Sequence, residues 1–438
     1  MQKGGVISDI DGYALYRILL VLGITLTMLS FSISSANGAY QEIAVSCISS
    51  EYTLTARNAS AANDSEGYIY VVWDDYSASE GKRNIYASFS SDNGANWSAS
   101  DRDEVVSHNK YDAKQPDIYV ENRLSVHMVW GELNETSKNF EIKYARYRYE
   151  GFWNISNEKY ITVLSGEVKD CESPQIVVDG RGGIHAVWRA YNSTSTLWEI
   201  YYGKSTDGGK TWSSEKYDIK ISDPSITSDS YSPTLIIDSK NYIWVFYIAD
   251  TVIYYSLSQD LGDSWTYGKV AAYPTDTHLG NLTSVFFNGW LFVFWELCDP
   301  STMKHTEITV SYFDYSSGWS DPKIISYQND EYGAYHPSAA ASKNAIYVVW
   351  SQNDSRYVQL YYSYSSDGIS WSGENGNYPL TDSDSNHDNP CAICTPNNDL
   401  HVFWDMWTEH TKQRGSREVF TLNVPGGNVA ELFTMKLR

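Results

Sequence analysis

The chain has 438 residues, with Lys plus Arg 32 against Asp plus Glu 54 and a net charge of -22. Hydrophobic residues make up 42%, enough for a core and against wholesale disorder. The acidic balance argues against nucleic acid and against an anionic membrane surface, while 36 Tyr and 16 Trp suit strands rather than helices.

The first element is the apolar run Ile18 to Ile33. Lys3 and Arg17 precede it, and Ser34-Ser35-Ala36-Asn37-Gly38-Ala39 follow. Basic, apolar, then small is the order of an export signal, and cleavage after Ala36 or Gly38 fits. Residues 1–38 are therefore predicted to be a signal peptide or, alternatively, an uncleaved anchor, and 39–438 a single domain. The run is slightly short for the roughly 20 residues that span a bilayer. Either way the domain is expected outside the cytoplasm, at the cell surface or extracellular, touching a membrane only through an uncleaved 1–38. Sequons at Asn58, Asn63, Asn96, Asn134, Asn154, Asn192, Asn281 and Asn353 agree with an exported glycoprotein. The five Cys do not make a disulfide framework. Cys391 and Cys394 fall at i and i+3 of a predicted strand and face opposite sides, which disfavours a metal or redox site.

A strand carrying an aromatic then recurs seven times: YIYVVW to Trp73, SVHMVW to Trp130, GIHAVW to Trp188, YIWVFY to Tyr247, WLFVFW to Trp295, AIYVVW to Trp350 and DLHVFW to Trp404. A Pro precedes five of them by 13 or 14 positions: Pro116, Pro174, Pro233, Pro337 and Pro390. Each is expected at the start of a strand, where a missing donor does least harm. An alternating strand follows each aromatic, as in NIYASFS (84–90) and EIYYGKS (199–205), then a tight turn and a Trp-led fourth strand. Four-stranded units repeated about an axis predict an all-β fold, a seven-bladed β-propeller of antiparallel blades. The last unit lacks a fourth strand downstream, so the N-terminal strand Glu42–Ser46 is expected to close that blade. An open or six-bladed ring is the alternative.

The third-to-fourth turns carry S-x-D-x-G-x-x-W. It is intact at Ser90–Trp97, Ser205–Trp212 and Ser258–Trp265 and shortened at Ser365–Trp371, with only the Trp left at Trp153 and Trp319. Asp and Ser oxygens can bond turn backbone, Gly permits positive φ, and Trp buries a large surface, so the motif needs no ligand.

This motif, in phase with the strand repeat, resembles the Asp-box or BNR-repeat propellers of the sialidase superfamily over nearly the whole of 39–438. The resemblance implies a glycan-related site on the face opposite the Asp-boxes. It also implies the sialidase set: three arginines on a substrate carboxylate, a Tyr nucleophile with a Glu, and an Asp acid/base. The arginine motif of that family has no clear counterpart. Tyr16-Arg17-Ile18-Leu19 falls in the export signal, and Arg57-Asn58-Ala59 matches by position only.

The charges expected at the mouth are Arg57, Asp74, Asp75, Glu80, Glu132, Arg189, Glu296, Arg356, Asp405, Glu409 and His410. Arg57, Arg189 and Arg356 could clamp a carboxylate in bidentate fashion, and Asp74 or Asp75 could act as an acid. Mouth aromatics are Tyr76, Tyr191, Trp198, Tyr332, Tyr335 and Trp407. The carboxylates Asp382, Asp384 and Asp388 stand at spacings that suit a structural Ca2+, but His387 stands where a calcium loop needs Gly and Ile393 where it needs Glu, which favours a polar inter-blade turn. No cofactor is required, and no nucleotide-binding or serine-hydrolase motif occurs. The predicted role is glycan or cell-surface protein recognition. The alternative is an exo-acting glycoside hydrolase of sialidase type.

Overall fold

The computed structural model describes residues 45–48, 55–98, 104–107, 110–149, 153–155, 161–166, 169–214, 218–298, 305–327, 332–376, 378–408 and 416–424. The predicted signal or anchor, Glu409 and His410 lie outside them. Among the described residues no helix is long and apolar enough to cross a membrane.

The chain builds antiparallel sheets in sequence order. The first holds Arg57–Asn63, Ile69–Ser77, Lys82–Ser90 and Glu104–Val105. The second holds Ala113–Asn122, Ser125–Leu133 and Phe140–Tyr149, with Trp153–Ile155 and Thr162–Val163 both on its third strand. The third holds Lys169–Val178, Ile184–Asn192, Leu197–Ser205 and Ile219–Lys220. The fourth holds Ser230–Ile237, Ile243–Ala249, Val252–Ser258 and Thr266–Ala272. The fifth holds His278–Phe287, Trp290–Cys298 and Glu307–Asp314, edged by Gly318–Trp319 and Lys323–Ile324. The sixth holds Ala334–Ala341, Ile346–Asn353 and Val358–Ser365. The seventh holds Asn386–Cys394, Leu400–Thr408, Ser416–Val424 and Val45–Cys47. First strands pack successively, and Asn386–Cys394 packs on Arg57–Asn63, so the sheets encircle one axis as a β-propeller.

The second strands are apolar almost throughout because both of their faces are covered by neighbouring sheets. Ile243–Ala249 is buried at every position. The repeated aromatics Trp73, Trp130, Trp188, Tyr247, Trp295, Trp350 and Trp404 are all fully buried. Truncating one of the tryptophans to Ala costs about 3–5 kcal/mol. The core lies between sheets: Tyr70, Val72, Ile118 and Trp130 join the first two, and Phe294, Val348 and Trp350 the fifth and sixth.

The expectation of seven four-stranded blades, the last closed by the N-terminal strand, is corrected on both counts. Six sheets reach four or five strands, whereas the sixth in chain order has three among the described residues, so the complete blades number six. Beyond its third strand, Pro379 makes only an isolated bridge to Tyr361. The N-terminal strand is only Val45–Cys47, paired with Phe420 to Leu422 at the outer edge of the seventh sheet. The joint between first and last sheets is made elsewhere. Asn93 donates to Asp399 at 2.6 Å, Asn93 Oδ1 meets His401 Nε2 at 3.0 Å, and Trp97 packs edge-on against Phe403.

That joint belongs to a general device. In the Ser90–Trp97 turn, Ser90 Oγ donates to Asp92 and accepts from the Gly94 N–H, while Asp92 accepts from the Asn96 N–H. The same bonds recur around Asp207 and Asp260. Each turn's Trp then packs on the preceding sheet: Trp212 on Tyr144, Trp265 on Tyr202, Trp371 on Phe294. Gly209 and Gly262 have φ of 85° and 90°, and a Cβ on either would strike Tyr144 or Tyr202. The turns thus lock hairpins and stitch each sheet to its neighbour.

Candidate functional site

Every first strand carries a β-bulge at the same place, and Lys169–Val178 and Ala113–Asn122 each have a second register shift. The residues with positive φ are Asn58, Gln115, Ser173, Ser232, Asn281, His336 and Asn389. A register shift follows the position before each of them. In five sheets the next residue is the recurrent Pro, so the Pro sits inside the strand at the bulge and not at its start. There the ladder is already interrupted and no donor is lost.

The residue after each Pro position is Ser60, Asp117, Gln175, Thr234, Thr283, Ser338 or Cys391, and most of these reach across to a neighbouring sheet. Ser60 donates to Asp117, and Asp117 accepts from the Ile176 N–H. Gln175 accepts from Leu235, Thr283 from Ala339 and Ser338 from Ala392. Burial among these strands pushes Asp117 up to about 6. Cys391 takes this structural position, and burial raises its thiol to about 12.

Two residues before each Pro position, the first strand faces the residue that follows the buried aromatic of the second strand. The pairs are Arg57 with Asp74, Lys114 with Gly131, Glu172 with Arg189, Tyr231 with Ile248, Gly280 with Glu296, Tyr335 with Ser351 and Asp388 with Asp405. Antiparallel alternation puts this end of the sheets opposite the Ser-Asp-Gly-Trp turns. These pairs, at the end where the mouth is expected, are called its wall. Asp74, Arg189, Glu296 and Asp405, expected at the mouth, are strand residues.

In the first three sheets this wall is held by ion pairs. Asp74 is fully buried and accepts from Arg57 Nε at 3.1 Å, Arg83 Nη1 at 2.8 Å, Asn58 Nδ2 at 2.6 Å and the Gln115 N–H at 3.0 Å. Glu172 accepts from Lys114 Nζ at 3.2 Å and Arg189 Nη2 at 3.0 Å. The Arg189 guanidinium also stacks over Trp198, 4.3 Å from the ring centre, and Trp198 meets Tyr191 edge-on. Arg57 and Arg189 therefore each hold a carboxylate of the protein. Arg356 lies in an exposed loop, where its N–H donates to Asp354.

In the last three sheets the wall gathers carboxylates about a histidine. His336 Nδ1 lies 2.8 Å from Asp388 Oδ1, and the His336 N–H donates to Glu296 Oε1 at 2.6 Å. Asn281 Nδ2 donates to the same Glu296 oxygen at 2.7 Å. Asn389 joins Asp388 to Asp405, its N–H bonding the first at 2.9 Å and its Nδ2 the second at 2.9 Å. Gly280 has no side chain opposite Glu296, and a Cβ there would strike the Glu296 carboxylate. Burial opposes a charge on His336, but Asp388, with Glu296 and Asp405, outweighs it and raises the imidazole above its ordinary value. Burial likewise opposes ionisation of Asp388, and the His336 bond prevails and lowers it. The pair is thereby biased toward imidazolium and carboxylate.

The remaining sequence candidates are scattered. Asp75 is buried and accepts from the Thr55 N–H, Glu80 pairs with Lys82, and Glu132 accepts from Trp130 Nε1. Asp382 and Asp384 are exposed, whereas Asp388 turns to His336. Among the described residues no three His, Cys, Asp or Glu side chains are grouped to hold a metal. Tyr76 is exposed, and Tyr335 packs over Gly333. Trp407 is on the Leu400–Thr408 strand, with its side chain outside the described set. Several sequon amides are engaged: Asn58, Asn96, Asn134, Asn192 and Asn281 each donate to a carboxylate. Sequence reasoning missed His336, Asn281 and Asn389. The signal was present, since each stands in the position before a recurrent Pro or its equivalent.

No protein-family profile and no curated protein matches the sequence. Among solved structures, the chain is similar to a protein of unknown function from Dyadobacter fermentans, with TM-score 0.53, 11% identity, and 87% of this chain and 97% of that one covered. It is also similar to the NanB sialidase of Streptococcus pneumoniae, with TM-score 0.48, 14% identity, and 93% and 72% covered. A third likeness is to an alpha-L-arabinanase of Penicillium chrysogenum, with TM-score 0.43, 13% identity, and 86% and 94% covered. At 11% identity the first likeness concerns the fold alone, and the other two carry no further weight.

Proposed function

We propose that this chain is an exported, sialidase-like Asp-box propeller that recognises glycans, free or on cell-surface proteins, at the mouth opposite the Ser-Asp-Gly-Trp turns. One observation carries the reading: Glu296 and Asp388, both partly exposed, are assembled with His336, Asn281 and Asn389 at the end of the sheets opposite those turns. Carboxylates held by amide and imidazole groups retain acceptor capacity for sugar hydroxyls, because each carboxylate offers about four lone-pair sites. The purified chain is expected to bind members of a printed glycan array, and Asp388→Asn to lose that binding while the chain still unfolds in one cooperative transition. An array with no bound glycan, together with no glycoside turnover, overturns the reading. Export is tested by the N-terminal sequence of the chain recovered outside the expressing cell, expected to begin after Ala36 or Gly38.

A second reading, glycoside hydrolysis, is favoured by one feature. Glu296 and Asp388 both contact His336, so two carboxyl groups flank one point of the wall. Release of 4-methylumbelliferone from neutral glycosides and from a sialoside, lost in both Glu296→Gln and Asp388→Asn, selects this reading. Array binding without release selects recognition.

A further inference from the structure

Two places before the Pro position, six of the first strands carry a side chain: Arg57, Lys114, Glu172, Tyr231, Tyr335 or Asp388. The fifth sheet has Gly280 there, paired with Glu296. The backbone does not call for glycine at this place. The φ of Gly280 lies outside the left-handed region, and the six other residues make the same bulge with a Cβ. A glycine inside a strand loses more chain entropy on folding than alanine and packs nothing, so it marks a close approach.

The approach is that of the Glu296 carboxylate. A Cβ on Gly280 would strike Glu296 Oε2 and stand 3.0 Å from Cδ and 3.4 Å from Cβ of the same side chain. Its three nearest atoms all belong to Glu296, so the side chain would give way and the backbone would stay. Crowding at Cδ as well as at Oε2 means that turning the carboxylate does not relieve the clash. Glu296 would have to withdraw, and Oε1 would lose the bonds it accepts from Asn281 Nδ2 at 2.7 Å and from the His336 N–H at 2.6 Å. The wall's other glycine, Gly131, is not crowded in this way, since the nearest atoms to a Cβ there lie at 3.6 and 3.7 Å, an ordinary contact.

The two oxygens of Glu296 therefore differ. Oε1 is held by both donors, whereas Oε2 makes no hydrogen bond among the described residues. Glu296 is partly exposed, and Oε2 is not one of the enclosed, unpartnered oxygens. A carboxylate oxygen fixed in direction, without a partner and open to solvent is ready to accept one more donor.

We propose that Gly280 is a positioning residue of the mouth: the space it leaves lets the Glu296 carboxylate settle with Oε1 clasped and Oε2 offered to a hydroxyl of the bound glycan. The inference rests on the glycan reading for the identity of that donor, and the placement of the carboxylate is tested without a ligand.

The test compares the wild type, Gly280→Ala and Glu296→Gln in two measurements. The first is the NMR titration of the His336 imidazole in the ligand-free chain, its resonance assigned with His336→Asn. Burial opposes the charge on His336, while Asp388, Glu296 and Asp405 favour it. Glu296→Gln deletes one of those charges and Gly280→Ala moves it away, so both variants should titrate at lower pH than the wild type. The second is a printed glycan array, on which both variants should fall at least roughly ten-fold below the wild type, one charge-assisted bond's worth. A glycine with a merely structural role would leave the His336 curve in place. A Gly280→Ala curve that superimposes on the wild type overturns the positioning role and leaves the glycan reading standing. Array binding retained in Gly280→Ala does the same. An array left bare by the wild type, with no glycoside turnover, overturns the glycan reading and the ligand role of Oε2 with it. Should Gly280→Ala not fold, the double variant Gly280→Ala/Glu296→Ala removes the crowded group and should fold. Failure of the double variant as well would show that the backbone needs glycine, and overturns the proposal.

Discussion

On the side of the first three sheets, the mouth wall sets four cationic side chains, Arg57, Arg83, Lys114 and Arg189, about two carboxylates, Asp74 and Glu172. On the side of the last three, Glu296, Asp388 and Asp405 are bonded by amide groups and the imidazole of His336. Both sides use the same bulge and the same cross-strand register, so the backbone is common and only the side chains differ. Guanidinium groups that saturate a buried carboxylate make it a brace, because its acceptor positions are filled and its removal strands charge. Amide and imidazole partners leave the partly exposed Glu296 and Asp388 oriented and able to take another donor, whereas Asp405 is fully buried behind them. One side of the mouth is therefore scaffold, and the other is the part able to meet a ligand.

The largest expected effect breaks the comparison at its strongest point. Asp74→Ala leaves Arg57 and Arg83 without their shared anion, and should cost about 3–5 kcal/mol of stability. A denaturation midpoint equal to wild type would show that the paired side is not a brace. Next come Glu296→Gln and Asp388→Asn, which keep shape. Each should reduce glycan binding, or turnover if present, at least roughly ten-fold, one charge-assisted bond's worth, with folding preserved in urea titration. Loss of fold instead of binding would erase the distinction between the sides.

The pH response comes third. His336 has a raised value and contributes stability fully below about 6.5, lost as pH rises through its folded value. Asp388 has a lowered value, and its contribution is present above the ordinary carboxylate range and lost as pH falls through its folded value. Ligand binding should be greatest between those limits, and His336→Asn should remove the alkaline limb. Burial also pushes His387, beside Asp388, and His401 down to about 4. Their neutral forms support the fold, so thermal stability should decline as pH falls from about 6.5 toward 4. His401→Gln should flatten that decline, and an unaltered curve would remove His401 from the account. The smallest effect is Arg356→Ala, in an exposed loop, expected within about 0.5 kcal/mol by calorimetry and without change in binding.

Much of the repeat was readable before any coordinates. The aromatic and Pro spacing located the first and second strands, and alternation located the third. The outer strands were less legible: Glu104–Val105 and Ile219–Lys220 are two residues long and carry no period. The three-stranded sixth sheet and the three-residue N-terminal pairing follow from such edges, where few residues share the hydrogen bonding. Asp74, Arg189 and Glu296 were identified as charges following a buried aromatic, but their partners were not, because those partners lie on the preceding strand or an adjacent sheet. His336 was overlooked although it shares its place with Asn58, Gln115 and Asn389.

The sequence by itself determined the strand order, the Pro that marks the bulge in five of the sheets and the locked Ser-Asp-Gly-Trp turns. All are local, governed by alternation, by Pro at an interrupted ladder and by bonds within eight residues. Only the tertiary structure decided which of the mouth's charges neutralise one another and how the first and last sheets join. Those outcomes depend on distances between segments tens to hundreds of residues apart, which become fixed only when the sheets pack around their axis.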